Sequence, residues 1–435
     1  MRMTFARPLS WVLAAVVALS ATSSPAAPDP ATARAVFDEA RRLCERDDGT
    51  LWGRSLCGPM MIVDPADRRI VASHADPGGV LAAEDGLWTG RLPAAALVAN
   101  TRAEWSGQVW TQLLWPTPME PALLRVFLLH EMFHRIQPEL GLTRAEAGNR
   151  HLDGLEGRYL LQLEWRALAR AVMAVHAEAR RGHAADALAF RQVRRSMFEQ
   201  AADDERALEI NEGLAEYTGM RAGLAYDEAR RAYTVYALAR FLDAPSFVRA
   251  FAYASGPAYG LLLDDADPDW RGRLDADADL GELLADAMRI DRTASAPLAA
   301  LEQRYDPDRS LRNAEEQRER ARDQRLRAWR AALVDGPVLV LPLTRPGFQF
   351  NPQTLSALDG LGTVYPTLRL TDAWGELVVE GGAALVHADR TRASVAWAGE
   401  AQSLAGDGWT LTLAPGWRLV PGGRAGDMTL RRDGE

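Results

Sequence analysis

From Pro121 to about Leu333 the chain carries apolar residues at helical spacing almost without a break, and on either side the texture changes to short β-like runs. Strands and helices segregated in this way predict an α+β fold rather than alternating βα units. The N-terminal runs are Met60–Val63, Ile70–Ala72, Ala95–Val98 and Gln108–Trp115, separated by turn signals at Asp76–Gly79 and Gly90–Pro93. A first helix is expected from Ala31 to Arg46. Amphipathic helices follow at Leu155–Arg181, Ala184–Gln200, Glu205–Ala222, Tyr226–Leu242 and Arg309–Leu333, the last with the opposite-charge spacing of a solvated face. Val338–Leu341, Ala384–Val386, Ser394–Trp397, Trp409–Leu413 and Trp417–Val420 mark a small C-terminal β-rich domain. The expected divisions are therefore 28–118 (β-rich), 119–333 (helical) and 334–435 (β-rich).

A chain of 435 residues has room for two or three domains, each with its own core. The net charge of −9 repels phosphate backbones, which argues against a nucleic-acid partner. All 50 basic residues are arginine, so Schiff-base lysines and Walker-type phosphate loops are excluded.

Residues 1–27 have the three parts of a secretory signal: a positive flank with Arg2 and Arg7, an apolar run from Trp11 to Leu19, and a small-residue exit through Ser24 and Ala26. The apolar run is too short to span a bilayer comfortably, and no later segment is long enough to do so. An exported protein, periplasmic or secreted, with no integral membrane segment after cleavage is expected. In that oxidising setting the two cysteines, Cys44 and Cys57, are expected to pair as a disulfide.

His130-Glu131-Met132-Phe133-His134 is an H-E-x-x-H motif. On a helix its two histidines share one face and can reach one metal ion, with Glu131 beside the open coordination position as general base. Leu123, Leu124, Val126, Phe127, Leu128, Leu129, Met132, Phe133 and Ile136 make this helix apolar nearly all round. Buried imidazoles there need a compensating partner such as a metal. Gln137 and Leu140 stand where a metzincin would have Gly and His, which excludes that class and leaves a carboxylate on another helix as the expected third ligand.

Asn211-Glu212-Gly213-Leu214-Ala215-Glu216-Tyr217 resembles the third-ligand helix of gluzincin-type zinc metallopeptidases. The resemblance implies a zincin-like catalytic domain in which His130, His134 and Glu212 hold Zn²⁺ and Glu216 supports a ligand histidine from behind. Residues 135–211 form a longer interval than in compact members of the group, where Glu156 would occupy the third-ligand spacing; Glu156 is the alternative. The resemblance covers only these two helices. It implies an exposed sheet edge before the motif helix for pairing with substrate, and Gln108–Trp115 is the candidate. It also implies a Tyr or His that steadies the oxyanion. No His follows Glu212 before His387, so a tyrosine is expected. Tyr253 and Tyr259 bracket Ala254–Ala258, read as a small-residue break between helices, and Tyr259, followed by Gly260, is the expected donor. The aminopeptidase-type Gly-x-Met-Glu-Asn signature is missing. An acidic stretch, Asp275 to Asp286, departs from a calcium loop at Leu280 and reads as a solvated loop leading into a helix.

The leading expectation is an exported zinc metallopeptidase acting on a peptide or protein substrate. Two alternatives are a non-catalytic, zinc-stabilised periplasmic scaffold or binding protein and a zinc hydrolase of a non-peptide amide.

Overall fold

The computed structural model describes residues 29–93, 96–118, 120–144, 148–293, 296–351, 354–358, 360–398 and 404–434; the expected signal, 1–27, lies outside them. The fold is α+β, with a helical middle between β-rich N- and C-terminal parts. Contacts divide the chain between Arg135 and Ile136 into two units.

In the first unit, α1 (Pro30–Asp47) starts where Asp29 accepts the Thr32 backbone N–H at 2.9 Å. The described residues then form six strands: β1 (Met60–Val63), β2 (Arg69–Ala72), β3 (Ala82–Glu84), β4 (Leu87–Arg91), β5 (Thr101–Trp105) and β6 (Gln108–Leu114). Their order in the sheet is β3-β4-β2-β1-β6-β5, with β1 parallel to β6 and the other pairs antiparallel. Asp85-Gly86 and Ser106-Gly107, all at positive φ, turn the β3–β4 and β5–β6 hairpins; this two-residue geometry matches strand twist. Met61, Val63, Ile70, Ala72, Leu81, Leu92 and Trp110 form a buried cluster on this sheet.

Two expectations are corrected here. Gln108–Trp115 is not the sheet edge: β6 lies between β1 and β5, and its Trp110, Thr111, Gln112 and Leu113 are buried, so the strand is paired on both sides. Residues 96–98 of the Ala95–Val98 run form no strand, and the edge position belongs to β5. The unit ends in the last turn of α2 (Pro121–Ile136), a helix that begins at its proline as expected.

The second unit opens on a helical array: α3 (Leu155–Met173), α4 (Ala177–Ser196), α5 (Ala201–Leu208), α6 (Leu214–Gly223), α7 (Asp227–Arg240), α8 (Phe247–Ala266), α9 (Leu280–Ala287), α10 (Leu298–Tyr305) and α11 (Ser310–Arg330). The chain breaks between α3 and α4 at 174–176, earlier than the expected end near Arg181. Between α5 and α6 the residues Glu209–Gly213 make a π-helical turn. The expected break at Ala254–Ala258 does not exist: α8 runs through it with Pro257 inside. A proline there forfeits one backbone hydrogen bond, and the packing of small residues against neighbouring backbone outweighs that loss. Gly256 shows this best, since a Cβ would lie 2.3 Å from the Gly213 carbonyl oxygen.

The C-terminal strands are β7 (Val338–Pro342), β8 (Gly347–Phe350), β9 (Ser356–Leu358), β10 (Gly362–Asp372), β11 (Gly375–His387), β12 (Arg392–Ala396), β13 (Ala405–Gly406), β14 (Trp409–Leu413), β15 (Trp417–Pro421) and β16 (Met428–Arg432). They run in the order β13-β14-β11-β12-β7-β16-β15, with β10 adding to β11 and carrying β8 and β9. Leu339, Leu341, Leu368, Leu370, Trp374 and Trp409 belong to its apolar core. A second cluster, Leu333, Leu358, Val364 and Leu385, seats Leu326 and Trp329 of α11 on these strands. No helix among the described residues is long and apolar enough to cross a membrane.

Candidate metal centre

The motif lies on α2, whose Val126, Leu128, Leu129, Met132, Phe133 and Ile136 are all buried. His130 and Glu131 are buried with them, 4% and 5% exposed. The i, i+4 spacing sets the two imidazoles edge to face, with Nε2 of His134 3.1 Å from Nε2 of His130. Two nitrogens each about 2.0–2.1 Å from one tetrahedral ion lie roughly 3.3 Å apart, so the pair is spaced for a shared ion.

Glu212 sits in the π-helical turn, where one extra residue per turn alters which side chains project from the helix. Several interactions fix that turn. Gln137 donates its side-chain N–H to the carbonyls of Ile210 (2.9 Å) and Asn211 (3.2 Å). The Asn211 side chain pairs with the backbone of Arg144 as both donor and acceptor. At the start of the turn, Arg191 grips both oxygens of Glu209, at 2.7 and 2.5 Å, in a fully buried pair. Close crossing at Gly213 and Gly256 then brings α8 against the turn.

From α8, Arg249 donates to Glu212 Oε1 at 2.9 Å and Tyr253 donates its phenol to Oε2 at 2.6 Å. A carboxylate has about four acceptor sites, so these two donors do not exhaust it. Burial, and then the Glu212 charge, raise the Tyr253 phenol well above its usual range and keep it a neutral donor. Glu216, one helical turn after Glu212, is buried and accepts from Tyr233 and, at 3.4 Å, from Arg240.

One ligand atom from each of His130, His134 and Glu212 lies within 4.8 Å of the others, so this trio could hold a metal ion. Among the described residues no such group forms at Asp275–Asp286, where Asp279 instead caps α9 and joins Arg195 at 2.6 Å. Glu156 stands apart, in a bidentate pair with Arg312 of α11 at 2.8 and 2.5 Å.

Tyr259 is the expected oxyanion donor, and the structure places its hydroxyl against α3. It is fully buried, and its hydroxyl is 2.7 Å from Glu164 of α3. Because α8 is continuous, six residues of helix turn Tyr259 by about 240° from Tyr253, so the two cannot share a face. The space left by Gly260 is taken by the ring of Tyr217. Gln137, Arg249 and the Arg191–Glu209 pair carry no sequence signal for these roles, since each depends on a partner far along the chain. The expected disulfide is present, with the Cα atoms of Cys44 and Cys57 5.2 Å apart.

This chain matches no protein-family model, no curated protein sequence and no solved structure.

Proposed function

We propose that the protein is an exported zinc-dependent metallopeptidase of the gluzincin type. The observation that supports this reading most is the convergence of His130, His134 and Glu212 ligand atoms within 4.8 Å, with Glu131 following the first histidine. Two imidazoles and one carboxylate form the donor set of many catalytic zinc sites, which keep a fourth position open. When bound, the ion supplies Lewis acidity to water and to a scissile carbonyl. Glu131 takes the proton of the attacking water and returns it to the leaving amine. Tyr253, held at Glu212 Oε2, is the tyrosine best placed to donate to the developing oxyanion. The N-terminal signal pattern and the disulfide support export.

One observation favours the second reading, a non-catalytic zinc-stabilised protein: Arg249 already neutralises Glu212. Metal analysis and a peptide-mixture digest of the mature protein separate the two. Wild type should carry about one zinc per chain and cleave peptides; Glu131→Gln should keep the zinc and lose cleavage. Glu212→Ala should weaken zinc retention by more than about a hundredfold, beyond the loss typical of an outer partner, while Glu156→Ala leaves it unchanged. Equal cleavage by wild type and Glu131→Gln removes the enzyme reading. Failure of wild type to take up zinc removes both.

A further inference from the structure

His134 lies in the last turn of α2, which runs on into a short 3-10 turn at Gln137–Leu140. Part of what holds this turn comes from the segment between the two cysteines. Arg135 Nη2 faces three successive carbonyls of that segment: Ser55 at 3.4 Å, Leu56 at 3.2 Å and Cys57 at 2.7 Å. Gly58 makes room for the guanidinium, since a Cβ there would lie 2.4 Å from Arg135 Cζ. On the other side of His134, the ring of Trp52 packs on the buried Phe133 at 5.0 Å between centroids. The residues immediately before and after His134 are thus both gripped by one loop, and the Cys44–Cys57 bond closes that loop. A cavity of about 520 Å³, lined by Cys44, Cys57, Gly58 and Met132 among others, opens beside the bond.

We propose that the disulfide-closed loop is a positioning device for the metal ligands of α2, and that Arg135 is its principal positioning residue. The inference rests on the metal-site reading above. With the bond intact, the Arg135 head and the Trp52 ring hold the last turn of α2 so that the two Nε2 atoms stay at ligand spacing. A dithiol reaching the bond through the cavity transfers two electrons and two protons. The bridge becomes two thiols, the dithiol becomes a disulfide, and the loop is then free to withdraw from α2. Metal affinity falls although no ligand has been removed.

The test uses the mature full-length chain stripped of metal, with Zn²⁺ or Co²⁺ affinity measured by competition against a chelating dye. Unfolding midpoints of the metal-free proteins are recorded alongside. Reduction followed by thiol alkylation, or Arg135→Ala, should lower affinity about 10- to 100-fold, the range for groups that orient a ligand from behind. Arg135→Lys, which keeps a charged donor, should restore most of it. Gly58→Ala, whose methyl displaces the guanidinium, should fall at the lower end of that range with an unchanged unfolding midpoint, and the visible spectrum of its Co²⁺ form should differ from wild type. Unchanged affinity in Arg135→Ala and Gly58→Ala overturns the proposal, whatever reduction does to folding. Failure of oxidised wild type to bind either ion overturns the metal-site reading and this proposal with it.

Discussion

The segment that braces the histidine helix and the segment that braces Glu212 solve the same problem with opposite chemistry. Around α2 the restraints are a covalent bond, backbone carbonyls and an aromatic contact. Around the π-helical turn they are charges buried among helices. Arg191, Arg194 and Arg195 interleave with Glu164, Glu205, Glu209 and Asp279, and His151 adds a bond to Glu205 at 2.8 Å. A buried charge cluster is stable only while every member keeps its partner, so it resists thiols and fails in acid. The disulfide-closed loop should do the reverse.

The largest effect should come from Arg194→Met. Glu164 and Glu205, both fully buried, would lose the guanidinium between them, at a cost of about 3–5 kcal/mol. Urea unfolding measures it, and a loss below about 1 kcal/mol would mean that the cluster is not what holds this part of the protein. The same contrast has a pH side. Arg194 and its neighbours outweigh burial and hold Glu205 well below the usual carboxylate range, and Arg191 and Arg195 do the same for Asp279. Their folded values lie below the unfolded ones. Their contribution is therefore complete above about pH 4 and is lost as pH falls through the depressed values. Helical circular dichroism should collapse on that acid side, with the Cys44–Cys57 bond still intact by mass.

The next effect separates the two tyrosines of α8. Tyr253→Phe should lower kcat per metal-loaded molecule by roughly 10²–10³. Tyr259→Phe should leave kcat per metal-loaded molecule alone and cost about 1–3 kcal/mol of stability, because Glu164 loses a donor. If the two variants exchange these phenotypes, the oxyanion role returns to Tyr259. The smallest effect is expected for Gln137→Ala. It frees the carbonyls of Ile210 and Asn211, and zinc retention should drop about tenfold. No change would mean that the other restraints on the π-helical turn hold it without Gln137.

Patterns of short period were readable without coordinates. The 3.6-residue period around His130 and His134 placed both on one face of a buried helix, and the cysteine pair was read from count and compartment. The Asp85-Gly86 and Ser106-Gly107 turns, which mark the β3–β4 and β5–β6 hairpins, were equally available as two-residue signals, yet no β3, β4 or β5 was expected. What no window of sequence contains is a partner far along the chain. Whether Gln108–Leu114 is an edge or an interior strand depends on β1 and β5 flanking it, and a strand's own residues do not name its neighbours. Ala254–Ala258 looks like a break by local propensity, yet Gly256 meets Gly213 closely enough for tertiary packing to carry the helix through Pro257. That continuity turned Tyr253 to Glu212 and Tyr259 to Glu164. The sequence by itself determined which residues could hold a metal ion, because side-chain type and helical phase are local properties. Only the tertiary structure decided which of them share Glu212's hydrogen bonds, because that choice is made by backbone contacts between segments far apart in the chain.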